Sequence, residues 1–182
     1  MERLIYKEEQ SFRNSFVLWI LLAVMLLMIS GFGLSFYQQF YLHRPYGDTP
    51  MSDNGLLWSG IITTVVVGII FSIIMSGVLV TEIWSDGIRY KFPPLIRKMR
   101  FISLRDIASV EVGKYRPLLE FGGYGWRRRL LQRKTAYNVT GTTGIRITLK
   151  NGSQVMIGTM KQEEMKRAVD RMMQPDTNKF SI

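Results

Sequence analysis

Two long apolar runs without charged residues constrain this chain more than any other feature of its sequence. The first uncharged stretch extends from Asn14 to Leu42, and the second extends from Asn54 to Thr81. A helix needs about 20 apolar residues to cross a hydrocarbon core of about 30 Å, and both runs reach that length. The first run is also longer than a signal-peptide core, and no small-residue cleavage pattern follows it closely, so we expect it to be retained. The sequence therefore predicts a two-helix transmembrane hairpin.

The positions of the apolar runs predict how the chain is divided. The expected segments are an N-terminal cytoplasmic segment at 1–14, transmembrane helix 1 at 15–40, an external loop at 41–54, transmembrane helix 2 at 55–80, a cytoplasmic domain at 81–174 and a tail at 175–182. The segment from 41 to 53 contains one Arg and two Asp, whereas the region from 82 to 182 contains 20 Lys and Arg against 9 Asp and Glu. Because basic residues near membrane helices stay on the cytoplasmic side, both termini are expected in the cytoplasm.

Transmembrane helix 2 carries a row of small side chains. Gly60, Thr64, Gly68, Ser72 and Ser76 recur at every fourth position, so they share one face of a helix. Small residues allow a second helix to approach closely within a membrane. This face could pack against transmembrane helix 1 of the same chain, or it could contact another copy or another membrane protein.

The region after the second apolar run predicts an α+β domain. Alternating segments indicate six or seven antiparallel strands, among them VLVTEIW and IRYKF around an Asp-Gly turn. Asn151-Gly152 predicts a hairpin with a type I′ turn, because both residues tolerate positive φ. Thr159 and Gln162 match a capping box at the start of a C-terminal helix. Its apolar positions are Met165, Ala168, Val169 and Met172.

Three segments of this domain resemble a known family. They are LVTEIWSDGIRYKFPP, PLLEFGGYGWR and AYNVTGTTGIRITLKNGSQVMIGT, which together cover most of the chain from Leu79 to Met173. The arrangement resembles bacterial membrane proteins in which two N-terminal spans precede a PH-like domain. The resemblance implies an antiparallel PH-like sheet or barrel closed by a C-terminal helix, in the bacterial cytoplasmic membrane. It implies a fold more than an activity, and the basic segment after Trp126 departs from what we expect for the family.

Residues that could support catalysis or hold a metal are scarce. The chain has no Cys and a single His, His43, which falls in the expected external loop. The segment Gly122–Gly125 lacks the Lys and Ser or Thr of a phosphate-binding loop. We therefore expect a protein that is not an enzyme and that needs no cofactor or metal.

Basic residues near two aromatic side chains form the candidate binding surface. The candidate residues are Arg97, Lys98, Arg100, Trp126, Arg127, Arg128, Arg129, Arg133 and Lys134. They could rest on the anionic inner leaflet, dock an acidic protein or simply reinforce the membrane topology, whereas nucleic-acid binding is less favoured because no recognition motif accompanies the charge. The prediction is a membrane-anchored, non-enzymatic scaffold module that contacts lipids and a protein partner or a second copy. The alternative is an accessory subunit of a transport or secretion complex that binds through transmembrane helix 2.

Overall fold

The computed structural model describes residues 3–45, 47, 49–129 and 132–174. The chain divides into two compact units. One unit consists of Arg13–Met75, and the other combines Met1–Phe12 with Ser76–Ile182. The second unit is therefore formed from two separate parts of the sequence.

The unit Arg13–Met75 contains two apolar helices. Helix α1 covers Phe16–Phe36 and continues as a π-helical turn over Tyr37–Tyr41, and helix α2 covers Asp53–Met75. Within the most apolar window of each helix, 0% of α1 and 6% of α2 is buried. A core helix of a soluble protein would be mostly buried, so these helices have the length, composition and exposure of membrane spans.

The second helix ends earlier than the sequence predicts. The expected span was 55–80, but α2 ends at Met75, and strand β2 begins at Val78. Val80 of this apolar run pairs instead with Glu9 of the N-terminal strand. A continuous apolar run does not distinguish a helix from a strand that is buried on both faces, and the pairing partner here lies far away in the sequence.

The other unit contains nine strands and two helices among its described residues. The bounds are β1 Leu4–Ser11, β2 Val78–Trp84, β3 Gly87–Phe92, β4 Ile96–Ser103, β5 Ile107–Lys114, α3 Pro117–Phe121, β6 Gly125–Arg129, β7 Lys134–Asn138, β8 Thr143–Leu149, β9 Gln154–Gly158 and α4 Gln162–Met173. Short 3-10 turns cover Phe12–Asn14 and Leu104–Asp106. The strands form a four-stranded sheet in the order β1-β2-β3-β4 and a five-stranded sheet in the order β5-β8-β9-β7-β6. The pair β7–β9 is parallel, so the α+β class is confirmed but the sheets are not wholly antiparallel.

Strand β1 is an element that the sequence analysis did not predict. The N-terminal segment 1–14 was separated from the domain at 81–174, yet Leu4–Ser11 pairs along β2 at the edge of the four-stranded sheet. Its buried side chains are Tyr6, Glu8 and Gln10, which alternate with exposed neighbours. The helical hairpin is therefore inserted, in chain order, between two adjacent strands of one sheet.

Helix α4 has the predicted apolar face but not the predicted cap. Met165, Ala168, Val169 and Met172 are all buried. The capping box is wrong, because the helix begins at Gln162 and Lys161 is its N-cap without a side-chain hydrogen bond. The Thr159 hydroxyl instead donates to Glu8 Oε2 at 2.6 Å and accepts from the Lys161 N–H at 3.0 Å.

The hairpin between β8 and β9 is present, with a different turn from the one expected. The Gly152 N–H donates to the Leu149 carbonyl at 2.9 Å, and Gly152 has a φ of 79°. Asn151 keeps a negative φ, and its side chain accepts a hydrogen bond from the Ser153 N–H at 2.9 Å. A type I′ turn needs positive φ at both central residues, so that detail of the prediction is wrong.

Candidate functional site

The basic segment after Trp126 forms a strand and a turn rather than the loop expected from the sequence. Arg127, Arg128 and Arg129 lie in β6, which is an edge strand, and pair with residues of β7. Lys134 begins β7, and Arg133 directly precedes it with a φ of 49°. Because neighbouring side chains of a strand point to opposite faces, the three consecutive arginines do not form one surface.

Arg127 and Arg129 lie on the face of the sheet that carries helix α3. Arg127 is directly opposite Ala136, whose side chain packs in a buried cluster with Tyr115, Phe121 and Met156. The Arg127 Nε donates to the Tyr124 carbonyl at 3.1 Å, and a guanidinium nitrogen of Arg129 donates to the Leu119 carbonyl at 3.2 Å. Arg129 therefore contacts helix α3, and Arg127 contacts the turn between α3 and β6.

Trp126 and Arg128 lie on the opposite face of β6. Trp126 is directly opposite Tyr137, and Arg128 is directly opposite Thr135. Directly opposite residues of an antiparallel pair share a face, so both side chains point to the same side as Tyr137. Tyr137 is 1% exposed in the interior of the unit, whereas the Trp126 side chain is still 41% exposed.

Arg100 reaches the same tyrosine from the other sheet. It is directly opposite Tyr90 in the β3–β4 pair, and its NH1 lies 3.5 Å from the Tyr137 hydroxyl. The rings of Tyr90 and Tyr137 are 4.9 Å apart, so the two sheets meet at this pair. Burial, with a smaller contribution from Tyr137, raises the pKa of Tyr90, while Arg100 partly opposes the shift. The phenol therefore stays neutral at physiological pH and leaves the Arg100 charge uncompensated.

We call Arg100, Trp126 and Arg128 the edge patch, because they belong to the edge strands β4 and β6. Arg97 and Lys98 are also exposed on β4. Within the described part of the chain, no ion pair involves the following side chains: Arg97, Lys98, Arg100, Arg128, Arg133 and Lys134. Their positive charge is therefore available to an anionic partner.

The predicted small-residue face of α2 lies partly against α1. A Cβ at Gly60 would meet the Phe36 ring at 3.0 Å, and Thr64 and Gly68 line a crevice that also includes Phe32. Ser72 is exposed, and Ser76 lies beyond the end of the helix, so Ser76 does not belong to a helical face. Gly60 thus packs closely against α1, whereas a Cβ at Gly68 would have open space beside it.

A buried carboxylate was missed by the sequence analysis. Glu8 is 6% exposed and accepts hydrogen bonds from the Tyr6 hydroxyl at 2.7 Å, the Thr159 hydroxyl at 2.6 Å and the Met160 N–H at 2.8 Å. The only signal in the sequence was the alternation of Tyr6, Glu8 and Gln10, which is not an apolar pattern. These contacts join the first strand to the start of the α4 segment.

The described residues contain no group of three or more His, Cys, Asp or Glu side chains that could hold a metal ion. No protein-family model matches the chain, and no curated protein or solved structure matches it significantly. The PH-like resemblance therefore stays a prediction.

Proposed function

We propose that this protein is a membrane-anchored, non-enzymatic interaction module in the bacterial cytoplasmic membrane. The observation that carries the proposal is the connection between the two units. The chain leaves one sheet at the end of β1 and returns to it at β2, and all of Arg13–Met75 is inserted between these adjacent strands. Both ends of the apolar hairpin are thus attached to one sheet, which suits an anchor better than an independent domain.

The basic edge strands support a role in binding. In this proposal the termini are cytoplasmic, and the PH-like domain is tethered at the inner leaflet, whose anionic lipids attract basic residues by about 1 kcal/mol per charge near the surface. The same strands would also recruit an acidic protein partner. Scaffolding of this kind needs no catalytic group.

A charge-reversal experiment tests recruitment. The Arg97→Glu/Lys98→Glu variant changes two exposed side chains of β4, and Lys166→Glu/Arg167→Glu makes the same charge change on the exposed face of α4. Tagged proteins would be captured from native membranes, and their partners would be identified by mass spectrometry. We expect the β4 variant to lose partners that the α4 variant keeps. Equal capture by both variants would contradict recruitment through β4.

Topology can be tested separately, because the chain contains no cysteine. Single cysteines introduced at Thr49 and at Lys150 would be labelled with a membrane-impermeant maleimide in intact cells. The proposal expects labelling only at position 49. Labelling at position 150 would reverse the proposed orientation.

A second candidate function is an accessory subunit that binds through α2. One observation favours it: beyond its own turn of helix, a Cβ at Gly68 would meet no atom within 4 Å, so this position could admit a side chain of a further helix. The isolated segment 13–75 should then join the same complex as the full chain. Loss of co-purification by that segment would favour the scaffold.

A further inference from the structure

Each edge strand carries an exposed arginine on the face that points to the side of Tyr137. Arg100 lies on the same face of β4 as the buried Ile102. Arg128 lies on the same face of β6 as Trp126. Charges on edge strands can have a purely protective role, because they block edge-to-edge aggregation. Here, however, Arg100 contacts the Tyr137 hydroxyl from one sheet, and Trp126 is directly opposite Tyr137 in the other sheet, on the same face of β6 as Arg128.

The edge patch offers hydrogen-bond donors and no side-chain acceptor. Two guanidinium groups and one indole N–H make up its polar atoms, and neither Arg128 nor the Trp126 N–H has a side-chain hydrogen bond to another described residue. Arg128 is two residues after Trp126 in β6, so the Cα atoms of these residues are about 7 Å apart. Guanidinium groups bind phosphate oxygens with paired hydrogen bonds, so the complementary ligand is a phosphate-type anion.

The indole ring distinguishes a lipid headgroup from a free anion. Trp126 is 41% exposed beside these cations, and an amphipathic ring of this kind favours the boundary between headgroups and acyl chains. We propose that the edge patch binds the phosphodiester headgroup of an anionic phospholipid, with Arg100 and Arg128 on the phosphate oxygens and Trp126 against the glycerol and upper acyl region. This inference rests on the proposed function, because it requires a domain that is tethered at a membrane.

The consecutive arginines supply a matched control. Arg127 and Arg128 are neighbours with the same charge, but Arg127 donates to the Tyr124 carbonyl on the α3 face, whereas Arg128 belongs to the edge patch. Diffuse attraction to an anionic surface would respond equally to the loss of either charge. Binding at the edge patch would respond to Arg128 alone.

The experiment uses the full chain in neutral detergent micelles. Phenylalanine would replace Trp19, Trp58 and Trp84, so that Trp126 is the only tryptophan that reports by fluorescence. Short-chain phosphatidylglycerol, short-chain phosphatidylcholine and inorganic phosphate would be titrated separately. The same titrations would be made with the Arg128→Gln, Arg100→Lys and Arg127→Gln variants, and unchanged circular dichroism would establish that each variant is folded.

We expect phosphatidylglycerol to bind more tightly than the other two ligands, and Arg128→Gln to weaken this binding about tenfold. Arg127→Gln should change it less than about twofold, and Arg100→Lys should weaken it, because lysine loses the paired donors. Equal losses in the two glutamine variants would overturn the site. Equal binding of inorganic phosphate would overturn the headgroup assignment, as would equal binding of phosphatidylcholine.

Partner capture from native membranes separates this inference from the proposed function. An Arg128→Gln variant that loses lipid binding but keeps its protein partners supports the site and leaves the scaffold intact. A chain that binds phosphatidylglycerol as expected but recruits no protein contradicts the scaffold alone. Lipid binding that does not depend on Arg128, together with normal recruitment, contradicts only the edge patch.

Discussion

The Glu8→Ala variant should lose a large part of the folding free energy of the domain. Glu8 is 6% exposed, and its carboxylate accepts three hydrogen bonds, from Tyr6, Thr159 and Met160. A hydrogen bond to a charged group contributes about 1.5–3 kcal/mol, and contributions within one network are not additive. Removing the acceptor also leaves buried donors without partners. We therefore expect a loss of about 3–5 kcal/mol.

The adjacent Glu9→Ala variant is the matched control. Glu9 points outward, its side chain is 56% exposed, and it forms a surface ion pair with Lys7 at 2.9 Å. Exposed pairs of this kind contribute about 0–1 kcal/mol. The two substitutions remove the same atoms from neighbouring positions of one strand, so the difference between them measures the buried network.

Urea unfolding of the full chain in detergent micelles measures the effect. Trp84 of β2 would report on the domain in a variant whose other tryptophans are phenylalanine. With a slope of about 1.5 kcal/mol per molar urea, the expected loss lowers the midpoint by about 2–3 M. A difference between the Glu8 and Glu9 variants of less than about 0.5 kcal/mol would refute the reasoning, because β1 would then not belong to the same folding unit.

Two further predictions follow from single contacts. Gly60→Leu should increase the distance between α1 and α2 by about 2 Å, measured with spin labels, because the new side chain meets Phe36, whereas Gly68→Leu should not. Burial raises the pKa of Tyr115 to about 12 from its ordinary value of 10.0. The stabilisation linked to the neutral phenol is therefore fully present below pH 10, and it is lost as the pH rises from 10 to 12, because the unfolded chain releases this proton first. Tyr115→Phe should make the urea midpoint fall less steeply in that window, and an unchanged slope would contradict this assignment.

The elements that the sequence predicted best have strong apolar periodicity. Helix α4 buries Met165, Ala168, Val169 and Met172 as expected, because these residues recur at helical spacing on an otherwise polar segment. The two apolar helices were recognisable from length and composition alone. These signals are local, so no partner strand or distant contact is needed to interpret them.

Strand β1 could not be predicted in this way because its inward face is polar. Tyr6, Glu8 and Gln10 point inward. Glu8 accepts hydrogen bonds from the Thr159 hydroxyl and the Met160 N–H, and Gln10 donates to the Gly158 carbonyl, so these partners lie about 150 residues away. An alternation of polar residues carries no hydrophobic signal. The end of α2 was misplaced for a related reason, since residues 78–80 are apolar in a helix or in a strand, and only their pairing with neighbouring strands makes them part of β2.

The candidate site shows how strand geometry changes the meaning of a charge cluster. Sequence proximity grouped Arg127, Arg128 and Arg129 into one basic loop, but β6 directs Arg128 to one face and its two neighbours to the other. The sequence separates Arg100 from Tyr137 by 37 positions, yet these two side chains meet. A run of like charges in a strand therefore forms two surfaces of different composition, and specificity should follow the face rather than the total charge. The proposed headgroup binding should therefore depend on Arg128 rather than on Arg127.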